Sequence, residues 1–475
     1  MVDFVGRRRE LSALQQALSE VREAIGSARP GRCLIIRGRR RIGKSALVEE
    51  FVQRSGVPYV FHTVEIGFGS EPVAEFTREV ADSSLPEASI FAEAAPGNWT
   101  AALRQLAGVL PEDQATVVVL DEVPYLMDEA GSFESVLQRA WDRELSRKPV
   151  LLLLIGSDLS MMEALTSYGR PFHQRGTDML IGPLNPGEVA RMTGLAAADA
   201  FDAALVTGGL PIVCARWRSG ELLWSFLERE LADPLSPLVA SAQLSLAAEF
   251  PAQLQARAVL GAIGTGERTF TNIARAAGGI SHSTLTRATD LLVDKGLVAA
   301  ELPVSLHPSK ERRYRIADPY LRFWLAFLGP HLAEIDRMRS DLTLDRIRQG
   351  WTSWRGRAIE PLVRESLLRL LPARGVPAAP VVGGFWTRTN DVEIDVVGAD
   401  RGPIAKELYF LGSIKWLENA PFDDHDLLAL QRHRDRLTDA PVPLIAISRS
   451  GATTSHADAA FTADDLIEAW HQAAG

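Results

Sequence analysis

The string GRRRIGKS, Gly38 to Ser45, constrains this chain more than any other feature. It fits G-x-x-x-x-G-K-[ST] and stands between an apolar run and a helical pattern, SALVEEFVQRS, which is the context that the pattern requires. Such a loop joins a strand to a helix, so the residues around it must supply a strand–loop–helix unit of an α/β sheet. Each position has a task. Gly38 and Gly43 let the backbone turn tightly and come close to a ligand. The amides of Arg39, Arg40, Arg41, Ile42 and Gly43, and those of Lys44, Ser45 and Ala46 at the helix start, present N–H donors to phosphate oxygens. Lys44 supplies a charge for the β- and γ-phosphates, and the Ser45 hydroxyl is a ligand for Mg²⁺. The ligand implied is ATP with Mg²⁺.

A partner element stands downstream. In TVVVLDEVPYL an apolar strand ends in Asp121 and Glu122. Asp121 would hold the Mg²⁺ and Glu122 would polarise the attacking water as general base. Two acids after an apolar run are common alone, and their position one strand–helix unit after the phosphate loop gives them meaning. The next strand, VLLLLIGSD, ends at Ser157, which is either a γ-phosphate sensor or an ordinary strand-terminal serine. Arg170 and Arg175 lie in a polar loop, and either is a candidate arginine finger towards a neighbouring subunit as well as a solvated surface arginine.

The 475 residues suggest about three domains. Apolar runs at 33–36, 58–62, 116–120, 150–155 and 179–181 alternate with helical patterns, the signature of a mostly parallel sheet. A core over 1–190 is followed by an alanine- and leucine-rich helical lid over 191–250. The segment 251–330 suggests three helices and a strand pair with a basic return strand, KERRYRI, as in a winged helix-turn-helix. DPYLRFWLAFL follows as a buried helix. The tail, 331–475, gives helix, strand, strand, helix, strand. The net charge of −9 excludes a general coat for nucleic acid, so contact with double-stranded DNA would need a local patch. Two cysteines without ligand spacing, an N-terminus without an apolar stretch and no run long enough to span a bilayer point to a cytoplasmic protein with no membrane partner.

Together these residues resemble the archaeal-type P-loop ATPases of the AAA+/STAND group, over nearly the whole chain. FVGRRREL (Phe4 to Leu11) is similar to the family's N-terminal box, IGSDLSMMEAL with YGR to its sensor strand and following loop, and GGLP (Gly208 to Pro211) to its GG-x-P signature. The order of these strings carries the resemblance. It implies an extra strand between the two phosphate-site strands, a winged helix and a C-terminal domain similar to PD-(D/E)xK nucleases. A homo-oligomer is the partner expected for a switch that closes on ATP.

In the winged helix, Ser283, Thr286 and Arg287 lie off the apolar face of the recognition helix, and Arg312, Arg313 and Arg315 stand on the wing. These six are the candidate DNA contacts, opposed by Asp290 and Asp294 on the same helix; the other reading is packing against protein. The nuclease pattern needs a helix acid, a strand Asp and E-x-K. Glu360, Asp395 and Lys415 fit three of these places, but Ser413 stands where the third acid belongs. The expectation is therefore a degenerate tail on an ATP-driven switch. The alternative is a DNA-acting, ATP-dependent nuclease or remodeller.

Overall fold

The computed structural model describes residues 4–64, 71–129, 133–249 and 254–472. The chain divides into two compact units, Met1–Pro183 and Leu184–Gly475.

In the first unit, β1 (Arg32–Arg37), β2 (Tyr59–Thr63), β3 (Thr116–Asp121), β4 (Val150–Gly156) and β5 (Thr177–Leu180) form one sheet in the order β2-β3-β4-β1-β5. Every pairing in it is parallel. The fold class is α/β, with an all-parallel sheet in this unit. β3 and β4 are buried at every position, because helices cover both faces of a parallel sheet and a continuous apolar run is what such a place requires. β5 is an edge strand and mostly exposed. β4 lies between β1 and β3, which is the inserted strand that the resemblance implies. The helix Lys44–Ser55 buries Leu47, Val48, Phe51 and Val52, one helical face, and ends at Gly56 with a left-handed φ of 67°.

The second unit opens with the helices Pro186–Thr193, Ala197–Thr207, Pro211–Cys214, Leu223–Ala232 and Pro237–Glu249; Phe250, where the lid was expected to end, lies outside the described residues. Asn185 and Glu188 form a reciprocal capping box on the first of them. Gly208 and Gly209 take positive φ values. A Cβ at Gly208 would stand 2.6 Å from the backbone nitrogen of Tyr320, so the GGLP segment is glycine-rich because another backbone crosses it. The helices Leu254–Gly264, Phe270–Ala276 and His282–Asp294 lead into an antiparallel pair, β6 (Val298–Glu301) and β7 (Arg313–Ile316). The aromatic segment after it is not one regular α-helix. A short helix, Pro319–Phe323, passes into a π-helical turn, Trp324–Leu328, in which Trp324 donates to the Val239 carbonyl at 2.8 Å.

The tail holds more strands than its sequence suggested. β8 (Val381–Trp386), β9 (Glu393–Ala399), β10 (Leu408–Lys415), β11 (Leu444–Ser448) and β12 (Ala459–Thr462) form a mixed sheet in the order β12-β11-β10-β9-β8. β8 is VVGGFW, with two central glycines and no alternation, and β12 has four residues, so neither has a clear strand period. A closing helix, Ala463–Gln472, was also unexpected. The lid helix Ala197–Thr207 is not an element of a separate lid core: Ala200, Phe201 and Leu205 share one buried cluster with Val363, Phe410, Ile447 and Leu466 of the tail.

Candidate functional site

The phosphate loop follows β1 and turns into the helix Lys44–Ser55. Gly43 caps that helix with φ 87°, a conformation that side chains rarely adopt. A Cβ at Gly38 would meet the Ile181 carbonyl at 2.6 Å, so the first glycine is demanded by close packing beside β5. Arg41 also has a positive φ, 64°. Lys44 is buried, and its Nζ donates to the carbonyls of Gly38 and Arg39 at 2.8 and 3.1 Å, which holds the ammonium inside the loop. Burial pulls its pKa down, against the nearby charges of Glu122 and Asp121.

The Ser45 hydroxyl donates to Asp121 Oδ2 at 2.5 Å, and the Glu122 amide donates to Asp121 Oδ1 at 2.8 Å. The two proposed Mg²⁺ ligands thus come together from two elements 76 positions apart. Burial raises the Asp121 pKa, while the Ser45 hydrogen bond opposes it. Glu122 has φ 56°, uncommon for a residue other than glycine, at the strand end where the chain turns into the helix Val123–Glu129. Its Oε2 accepts from the Ser157 hydroxyl at 2.9 Å. The end of β4 therefore fixes the carboxylate next to the phosphate loop. Arg40 donates to the Tyr125 hydroxyl at 2.5 Å and lies 3.5 Å from Ser157 Oγ.

Two arginines of the same unit have carboxylate partners. Arg170 pairs with Glu134 at 2.6 Å and Arg175 with Asp142 at 2.8 Å. Arg7 is a further site residue that periodicity could not single out. It is buried at a left-handed φ of 58°, and its guanidinium donates to the Ile42 carbonyl at 2.9 Å, tying the N-terminal box to the phosphate loop. Arg7 stands in FVGRRREL, and among three consecutive arginines only the fold shows which one turns inward. Cys33 and Cys214 are buried thiols whose pKa values are raised by desolvation.

In the second unit, Ser283, Thr286 and Arg287 are exposed on the helix His282–Asp294, as are Asp290 and Asp294. Arg312 is exposed; Arg313 pairs with Glu393, and Arg315 with Glu301 at 2.5 Å. Glu360 and Asp395 line one cavity together with Glu393, whereas Lys415 does not line it and instead pairs with Asp426 at 2.5 Å. Asp395 Oδ2 accepts from the Ser413 hydroxyl at 3.0 Å and the Ile414 amide at 2.8 Å. Ser413 thus makes a hydrogen bond to the acid where the nuclease pattern would add a third carboxylate.

Burial raises the Glu360 pKa from 4.5 to about 7, despite Arg364 at 2.8 Å. Between those values the folded chain keeps a proton that the unfolded chain has released. The stability contributed by this group is full below pH 4.5 and is lost as pH rises through about 7. Glu360→Gln should therefore lose less stability than the wild type over that window, by at most about 3 kcal/mol. Thermal unfolding of both proteins against pH checks this; parallel profiles would mean that Glu360 is ionised in the fold.

Residues 324–426 match the family described as DUF234, archaea bacterial proteins of unknown function. Over 396 residues the chain is 25% identical to the uncharacterized protein MJECL04 of Methanocaldococcus jannaschii, covering 82% of this chain and 83% of that one. Among solved structures it is similar to the Walker-type ATPase PABY2304 of Pyrococcus abyssi, with a TM-score of 0.48, 18% identity, and coverage of 68% of this chain and 96% of that one. It is also similar to the Aeropyrum pernix ORC2 protein in its ADPNP–ADP complexes, with a TM-score of 0.46, 16% identity, and coverage of 74% and 97%.

Proposed function

We propose that this chain binds ATP with Mg²⁺ at the phosphate loop and hydrolyses it slowly, as a nucleotide-dependent switch. The observation that carries the reading is the meeting of Ser45 Oγ and Asp121 Oδ2 at 2.5 Å, beside Lys44 and Glu122. A hydroxyl and a carboxylate are hard oxygen donors that suit Mg²⁺, so Ser45 and Asp121 are the residues that would hold it. When bound, Mg²⁺ neutralises charge on the phosphates. Lys44 adds a fixed positive charge at the loop, and the loop amides orient the phosphates. Glu122, fixed by Ser157, takes the proton of the attacking water.

The paired state of Arg170 bears on self-association. To serve as a finger in a homo-oligomer it would have to leave Glu134. A second reading, an ATPase stimulated by double-stranded DNA, is favoured by the exposed Ser283, Thr286 and Arg287, the face that a winged helix would present to a groove. Among the described residues no helix is long and apolar enough to cross a membrane.

Steady-state phosphate release with and without duplex DNA, with Lys44→Ala as the blank, separates the readings. Slow turnover indifferent to DNA, with nucleotide retained, supports the switch. Strong DNA stimulation supports the second reading. Activity equal to the blank overturns both.

A further inference from the structure

The cavity lined by Glu360, Glu393 and Asp395 receives arginines from outside the tail sheet. Arg268 precedes the second helix of the three-helix segment, Arg313 and Arg315 stand on β7, and Arg322 lies on the helix Pro319–Phe323. Arg357 and Arg364 come from the tail's own helices. We infer that these guanidinium groups take the place of a divalent cation, so that the tail's acids serve as a permanent dock for the β6–β7 pair.

The contacts are specific. Arg313 pairs with Glu393, donates to the Asn390 side chain, and stacks 4.5 Å from the Trp386 ring centre. Arg268 approaches Glu393 at 3.6 Å. Arg364 donates to Glu360 at 2.8 Å and to the Asp395 carbonyl at 2.8 Å, and reaches Glu301 of β6 at 3.8 Å. Charge decides what else can enter. The cavity is lined by six arginines (Arg268, Arg313, Arg315, Arg322, Arg357 and Arg364) and four acids (Glu301, Glu360, Glu393 and Asp395), so even with every acid ionised 6 − 4 leaves an excess of two positive charges, and the proton that Glu360 keeps enlarges it. A divalent cation would add to that excess at short range, in a desolvated place where repulsion is poorly screened. Asp395 has meanwhile turned one oxygen to Ser413 and Ile414.

The dock is also stitched by neutral contacts, which makes it lasting. The Val304 amide donates to the Gly384 carbonyl at 2.9 Å, the Ser305 amide to the Pro403 carbonyl at 3.0 Å, and the Trp386 indole to the Glu311 carbonyl at 2.7 Å. Val304 is buried in one cluster with Phe385, Val392 and Ile394. A contact with an apolar centre and a charged rim is built to persist.

The test uses the full chain without nucleotide. Arg313→Met, Glu393→Gln and the double variant form a cycle read by reversible unfolding. The expected result is coupling: the double variant costs less than the sum of the singles, by about tenfold in the unfolding equilibrium constant. Millimolar Mn²⁺ should leave the wild-type midpoint with no shift that depends on Glu393. Additive singles would overturn the inference. So would an Mn²⁺-induced rise in the wild-type midpoint that Glu393→Gln abolishes, because the acids would then be a cation site. If Arg313→Met fails to fold, the charge swap Arg313→Glu with Glu393→Arg replaces it, and failure of the swap to recover stability over either single change counts against the dock.

Discussion

Glu122→Gln should leave ATP bound and cut its hydrolysis by at least about 100-fold, the lower range for removing a positioned general base. The amide keeps the size of the carboxylate and can still accept the Ser157 hydrogen bond, which is 2.9 Å in the wild type. What disappears is the ability to take a proton. Lys44→Ala acts one step earlier. It removes the cation that the loop carbonyls of Gly38 and Arg39 hold in place, and nucleotide binding itself should fail. Phosphate release in a single turnover, with bound nucleotide counted in parallel, separates the two effects. Hydrolysis at the wild-type rate in Glu122→Gln would remove Glu122 from the chemistry. Ser157→Ala should fall between the wild type and Glu122→Gln, because it frees the carboxylate without deleting it.

Arg355→Met should destabilise the second unit by about 3–5 kcal/mol, the range for breaking one side of a buried ion pair. Arg355 is 0% exposed and Asp202 is 3% exposed. The guanidinium bonds Asp202 at 2.9 Å, Glu418 at 2.5 Å and the Trp416 carbonyl at 3.0 Å, while Arg449 also reaches Asp202 at 3.2 Å. Methionine fills much of the volume but leaves Asp202 with a weakened set of partners in a place where desolvation already raises its pKa. Differential scanning calorimetry is the suitable measurement, since a chain of two units need not unfold in one step. A drop in line with less than about 1 kcal/mol would mean that water screens the network as it does at a surface.

The parts of the proposed nucleotide site stand out in the sequence because they are local strings. A glycine loop, a lysine and a strand-terminal acid pair have fixed spacing, and the continuous apolar runs of β3 and β4 reveal a sheet covered on both faces. The two-glycine strand β8 and the four-residue β12 were not legible, since neither has a period to detect. The partners of Arg313 were hidden for a different reason. A basic strand facing solvent and a basic strand facing carboxylates have the same sequence, and Glu393 lies 80 positions away. The helix Ala197–Thr207 is buried along nearly its whole length, so its composition could reveal that it was inside but not inside what.

That helix has a practical consequence for dissecting the protein by truncation. Its core neighbours Val363, Phe410, Ile447 and Leu466, and the partner of Asp202, all come from beyond residue 350. A fragment cut before the tail would keep the helix and lose what covers it, exposing Phe201 and Leu205 to water together with an unpaired acid. Such a fragment should be recovered largely as aggregate, and any function missing from it would report lost folding, not a lost activity of the tail.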